Sequence, residues 1–203
     1  MTDKAPESPF TPYDVLDKWD TPSWNDQTRR VISRRLQEIP PRRFFDEREW
    51  AIAEAIAARI VPQPDRSPAI PIVPFIDERL FAKRGKGYRY DGMPPAPVAW
   101  HRGLAAIDDE SRSIFSRSFI ELTEQEQDDV LRRIQEGIVT SALWEDVSSR
   151  RFFTDFLLDD IAGEYYAHPA AWSEIGFGGP ASPRGYVRLG FDERDPWESE
   201  KRR

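Results

Sequence analysis

Few side chains in this sequence can do chemistry, and their spacing decides which kinds. The chain has two histidines, His101 and His168, and no cysteine. Without a thiol there is no disulfide, thiolate metal site, iron–sulfur ligation or cysteine nucleophile. A carboxylate-rich helical protein raises the di-iron question, because such a site takes Glu-x-x-His pairs from two helices plus two further inward glutamates. Neither histidine has a glutamate three residues before it. Glu164 and His168 stand one helical turn apart and can share a metal, but no third inward ligand is identifiable. Helix-end hydrogen bonding is the better reading of His168. His101 can act as a base with Asp108 or Asp109, which lie about two turns further along; a capping or packing role suits it better.

Phosphate and acyl chemistry fare no better. Gly85-Lys86-Gly87 is too short for a phosphate-binding loop and does not open a helix with Lys-Ser/Thr. Gly176-Phe177-Gly178-Gly179-Pro180-Ala181 looks superficially like a dinucleotide turn, yet that turn must follow a strand and open a helix. Pro180 and Pro183 argue for a tight, aromatic-studded loop instead. No Gly-x-Ser-x-Gly elbow is present, and no Ser-His-Asp arrangement follows from spacing.

A net charge of −7 argues against nucleic acid as a partner, since phosphate binding needs a positive face. One stretch runs against that balance: Arg29, Arg30, Arg34, Arg35, Arg42 and Arg43 make a basic region that is either a solvated helix face or a docking surface for an acidic partner. No run of about 18 apolar residues exists, so direct membrane insertion is not expected. The polar, proline-rich start carries no apolar signal segment. The expected location is therefore the cytoplasm, with the periplasm reached only if a partner carries the chain there.

The elements that must position these residues read as helices. Seven Trp, six Tyr and twelve Phe supply core mass that a disordered chain lacks. The clearest helix runs from a capping box at Asp46 and Glu49 to the stop at Pro62, with Ile52, Ala53, Ile56, Ala57 and Ile60 on one arc. Before it, Thr21 or Ser23 caps a helix over about 24–38 that Pro40-Pro41 ends. Phe10, Tyr13, Leu16 and Trp19 are possible anchors for the irregular start. After it, residues 70–83 place Val73, Ile76, Leu80 and Phe81 at helical spacing, with Asp77 and Glu78 expected to face out. A helix from about Val98 to Asp108 can extend to Phe115. A second capping box, Thr123 with Glu126, opens a helix that Gly137 closes. The most aromatic helix covers about Arg150 to Ala167, with Pro169 as its stop. No sustained period-two pattern appears. The expected fold is all-α, one compact domain of five to six helices, organised as an N-terminal extension with one helix (1–42), a helical domain (43–191) and a charged tail (192–203).

Trp172, Phe177, Tyr186 and Phe191 fall in a Gly/Pro-rich segment without a helical face. Either they fold back onto the helices or a partner covers them; as loop aromatics they are the candidate partner contacts.

Several pieces, in this order and spacing, resemble the gluconate 2-dehydrogenase small-subunit family (subunit 3, or gamma). They are Phe44-Phe45-Asp46-Glu47-Arg48-Glu49-Trp50, Val73-Pro74-Phe75-Ile76-Asp77, Arg102-Gly103-Leu104-Ala105-Ala106-Ile107-Asp108, the run from Phe119 to Gln127, Gly163-Glu164-Tyr165-Tyr166-Ala167-His168-Pro169 and Ile175-Gly176-Phe177-Gly178-Gly179-Pro180, across about residues 43–180. The resemblance implies a non-catalytic accessory subunit. It would bind and stabilise a large dehydrogenase subunit of the glucose–methanol–choline type, which holds FAD and oxidises a sugar or sugar acid, with a cytochrome c subunit often taking the electrons. It implies no catalytic, cofactor or metal residue in this chain, and no cofactor of its own. Many members begin with a twin-arginine export signal, where this sequence has its arginine-rich extension; the Pro-Gly-Ala after the first family helix is also reduced to Pro68-Ala69. The alternatives are a stand-alone helical protein with a metal- or histidine-dependent activity, and a scaffold without a partner.

Overall fold

Short-range capping chemistry sets several helix boundaries, and the computed structural model shows where it succeeds. The structure describes residues 8–10, 12–85, 92–180 and 198–200, and among these there is no strand. In chain order the helices are α1 (Asp26–Gln37), α2 (Glu47–Ile60), α3 (Ile72–Phe81), α4 (Ala96–Phe115), α5 (Glu124–Glu136), α6 (Ser149–Arg151), α7 (Asp159–Ala167) and α8 (Pro169–Trp172). The all-α expectation holds.

Both predicted capping boxes are present. The Asp46 side chain accepts the Glu49 N–H while Glu49 reaches back to the Asp46 N–H, and Thr123 and Glu126 do the same for α5. Gly137, at φ +71°, closes α5 in the left-handed conformation that glycine adopts at no steric cost. Two boundaries differ from the expectation. Asn25, rather than Thr21 or Ser23, caps α1 by accepting the Thr28 N–H at 2.8 Å, which turns Thr28 and Ile32 inward. The Thr21 hydroxyl is instead spent on the Lys18 carbonyl. Pro169 does not simply end a helix: it occupies the first turn of α8, where its missing N–H costs nothing.

The helical run 149–167 also departs from uniform geometry. Phe152–Leu158 is π-helical, joining α6 to α7. A wider turn places residues four and five apart on one side, so Phe152, Phe156, Leu157 and Ile161 are all buried. Phe152 is boxed in by Trp100, Trp144 and Phe156, with ring centroids 5.8–6.1 Å apart.

The chain divides into two compact units, Pro40–Tyr165 and Met1–Ile39 with Tyr166–Arg203. In the first, α4 packs against α2, α5, the 3-10 turns Phe119–Glu121 and Ala142–Trp144, and the π-helical turn. Its apolar interior includes Ile52, Ile56, Leu104, Ile107 and Ile134, each at most 2% exposed. Full burial of one such side chain contributes roughly 1.5–3 kcal/mol. In the second, Val15, Trp24, Ile32 and Trp172 form a small core that Tyr13, Leu16, Trp19 and Leu36 flank. Polar ties fasten this core: the Ser173 hydroxyl accepts the Val15 N–H at 3.0 Å, and the buried Lys18 ammonium donates to the Gly178 carbonyl at 2.9 Å. Burial and the nearby Glu198, Asp14 and Asp17 carboxylates push the Tyr13 phenol up to about 12. No helix among the described residues is long and apolar enough to cross a membrane.

Candidate functional site

The four candidate partner contacts separate. Trp172 is 8% exposed; its indole N–H donates to the Tyr166 carbonyl at 2.9 Å, and its ring meets Phe177 edge-on at 5.3 Å. It is a core residue of its unit. Phe177 keeps 37% of its surface exposed, and it is the only one of the four described with a free face. Tyr186 and Phe191 lie outside the described residues.

The candidate chemical residues are held by structural partners. The Phe44 ring stacks on His101 at 4.4 Å, and Nδ1 of His101 is 2.6 Å from Oε1 of Glu49, the glutamate of the α2 capping box. His101 is thus engaged across α2 and α4 with Glu49, packed under the Phe44 ring, and not with Asp108 or Asp109. Glu164 faces the Arg79 guanidinium at 3.5 Å. His168 is buried and serves as N-cap of α8, its Nδ1 accepting the Ala170 N–H. Among the described residues no three His, Cys, Asp or Glu side chains gather in a way that could hold a metal.

What the sequence reading missed is a set of buried carboxylates. Asp77, expected to face out, is fully buried and accepts three consecutive backbone N–H groups, from Arg43 at 2.8 Å, Phe44 at 3.0 Å and Phe45 at 2.8 Å. It ties α3 to the segment that leads into α2. The run Asp108-Asp109-Glu110 in α4 does comparable work on two loops. Asp108 accepts from the Ser118 hydroxyl and Phe119 N–H on one oxygen, and from Arg48 and Arg112 on the other. Asp109 takes the Ser141 hydroxyl, and Glu110, fully buried, takes the Thr140 hydroxyl and the Thr140 and Ser141 N–H groups. Asp160 accepts the Trp100 indole N–H at 2.9 Å and pairs with Arg79 at 2.7 Å. The available sequence signal was three acids in a row inside an otherwise half-apolar helix.

Asp108 makes a pH prediction possible. Burial alone would raise its pKa, but the Ser118 hydroxyl, the Phe119 N–H, Arg112 and Arg48 outweigh that and hold it below the ordinary carboxylate range. A depressed folded-state pKa stabilises fully above the unfolded-state value of about 3.9, and that contribution disappears as pH falls through the folded value. Asp108→Asn should therefore be destabilised at neutral pH, with the gap to wild type narrowing in acid. Urea titrations between about pH 7 and pH 2 check this; a gap constant across that range would refute it.

Two adjoining clefts open beside these clamps. One, of about 320 Å³, has Ile52 and Leu104 in its floor and Arg48, Arg112 and four carboxylates around it. The other, of about 260 Å³, lies across Leu143 and Ala105, which line both. The arrangement can present charge and shape to another surface, and it holds its own loops rigidly while doing so.

Comparison with known proteins agrees with this picture at the family level. The family model described as gluconate 2-dehydrogenase subunit 3 matches residues 47–179, from the first residue of α2 to the loop after α8. Neither a curated protein nor a solved structure matches the chain.

Proposed function

The chain belongs to the gluconate 2-dehydrogenase subunit 3 family, and from that premise we propose that it is the non-catalytic accessory subunit of an FAD-dependent dehydrogenase of the glucose–methanol–choline type. Family membership carries the reading, since the match spans most of the chain and makes it a subunit of a dehydrogenase complex. The use of its polar groups supports it. His101 is stacked and paired, His168 caps a helix, and Asp77, Asp108, Glu110 and Asp160 anchor backbone or indole N–H groups or arginines within their own unit. These residues build a rigid helical body, and the substrate chemistry and the FAD belong to the large subunit. A cytochrome c subunit is the natural electron acceptor of such an assembly. Location follows the partner: the chain stays cytoplasmic unless the large subunit exports it, which fractionation of tagged protein reads directly.

The test is purification from native-level expression through an affinity tag. The expected eluate is yellow, carries flavin absorbance and contains one large flavoprotein in fixed ratio; deleting the small subunit lowers the yield of that flavoprotein. A stable chain that elutes alone from every native preparation would sink the proposal.

A further inference from the structure

We infer that the two clefts that share Leu143 form the docking surface for a basic segment of the partner, a feature that rests on the subunit reading above. Leu143 is 49% exposed, in a turn whose next residue, Trp144, is buried. It lines both concavities, together with the exposed Ala105. Scattered exposed leucines are ordinary, but one that lines two preformed clefts presents a shape that an opposing surface can key into.

Charge selects the kind of partner. The larger cleft sets Asp46, Glu49, Asp108 and Asp109 against Arg48 and Arg112, and the smaller sets Glu145 and Asp146 against Arg102. Carboxylates outnumber guanidiniums six to three. Both Arg48 and Arg112 are committed to Asp108, and Arg102 to Asp146 at 2.9 Å. With each guanidinium paired to a carboxylate of the same linings, the face keeps a net negative surplus. Clefts with low-dielectric walls focus such a field outward. A segment with an apolar residue against Leu143 and lysine or arginine on both sides complements this face, whereas an acidic segment would be repelled.

Rigidity comes from the clamps already described. Glu110 and Asp109 hold Thr140 and Ser141 on α4, and the Ser141 hydroxyl accepts the Leu143 N–H at 3.2 Å. The turn is thus fixed before any partner arrives, which lowers the ordering cost of binding.

The full-length tagged chain tests this through the flavoprotein it co-purifies. Leu143→Arg and Glu145→Lys alter the surface without touching the clamps, and Gln125→Lys on α5, which adds one positive charge as Leu143→Arg does, is the control. The expected result is a loss of co-purified flavin of about tenfold or more in each surface variant, in line with a hot-spot contact, with circular dichroism and melting unchanged and Gln125→Lys like wild type. Should Leu143→Arg melt early, Glu145→Lys carries the decision alone. Surface variants that retain flavin at the wild-type level overturn this inference and leave the subunit proposal standing. A wild-type chain without flavoprotein overturns both. Light scattering that shows a wild-type dimer and monomeric surface variants assigns the face to a second copy, and that also overturns it.

Discussion

Asp77→Ala should cost roughly 4 kcal/mol or more, because three adjacent backbone donors lose their acceptor in a site that water does not reach. Each buried unsatisfied N–H costs about 1–3 kcal/mol, and bonds to an ionised acceptor lie toward the upper end of the range for hydrogen bonds. For a chain of this length the melting temperature should fall by roughly 10 °C. Asp77→Asn separates hydrogen bonding from packing. Its carbonyl can take over the oxygen that serves Phe44 and Phe45, but its amide then faces the Arg43 N–H, donor against donor. Asparagine should therefore lose about half of what alanine loses. Amide exchange adds a local readout, with the Arg43, Phe44 and Phe45 N–H groups losing protection first. Equal losses in both variants, or losses below about 1 kcal/mol, would mean that the three bonds do not hold α3 to α2.

The same bonds have a consequence at the surface. With the backbone of residues 43–45 pinned, the Arg43 guanidinium sits 4.5 Å over the Phe81 ring and Phe44 stacks on His101. Phe45 turns inward, edge-on to Trp100 at 5.6 Å. One buried carboxylate thus decides which of two adjacent phenylalanines joins the core. A loss of Asp77 would reach α4 through Trp100, which in turn donates to Asp160.

Asp77 also marks the boundary of what the sequence makes legible. The helix itself was readable from Val73, Ile76 and Leu80, and the same spacing places Asp77 four residues after Val73 and three before Leu80, on the buried stripe. Residue type argued for solvent, periodicity argued for the core, and periodicity was right. The capping boxes at Asp46 and Thr123 were legible because both partners lie within one turn. The clamps of α4 were not, because Ser118, Thr140 and Ser141 reach it from 10 to 32 residues away. Asn25 could not be told from Thr21 or Ser23, since all three cap well and only the inward phase of Ile32 chooses between them. Trp172 shows the limit for candidate contacts. An aromatic in an irregular segment reads alike whether it closes a core or waits for a partner, and the core with Val15, Trp24 and Ile32 exists only once the two ends of the chain meet.

Two glycines, one substitution and opposite signs provide the second large effect. Gly103 lies in α4, and a Cβ built there would overlap the ring of Phe152. That ring cannot retreat: it is fully buried, with Trp100, Trp144 and Phe156 around it. Alanine gains about 1 kcal/mol of helix propensity over glycine. Overpacking typically costs about 1–3 kcal/mol, and more where the neighbour is hemmed in, so Gly103→Ala should lose roughly 2 kcal/mol or more on balance. Phe152→Leu added to Gly103→Ala should recover part of the loss, because the smaller side chain vacates the space the methyl needs; alone, Phe152→Leu should only destabilise. Gly163 lies in α7, where an added Cβ meets nothing within 4 Å. There the propensity gain is unopposed, and Gly163→Ala should stabilise by about 0.5–1 kcal/mol. Chemical denaturation of the four variants decides the matter. If Gly103→Ala and Gly163→Ala stabilise alike, α4 does not approach the π-helical turn this closely, and the packing that sets the interior of the unit would have to be redrawn around a looser contact.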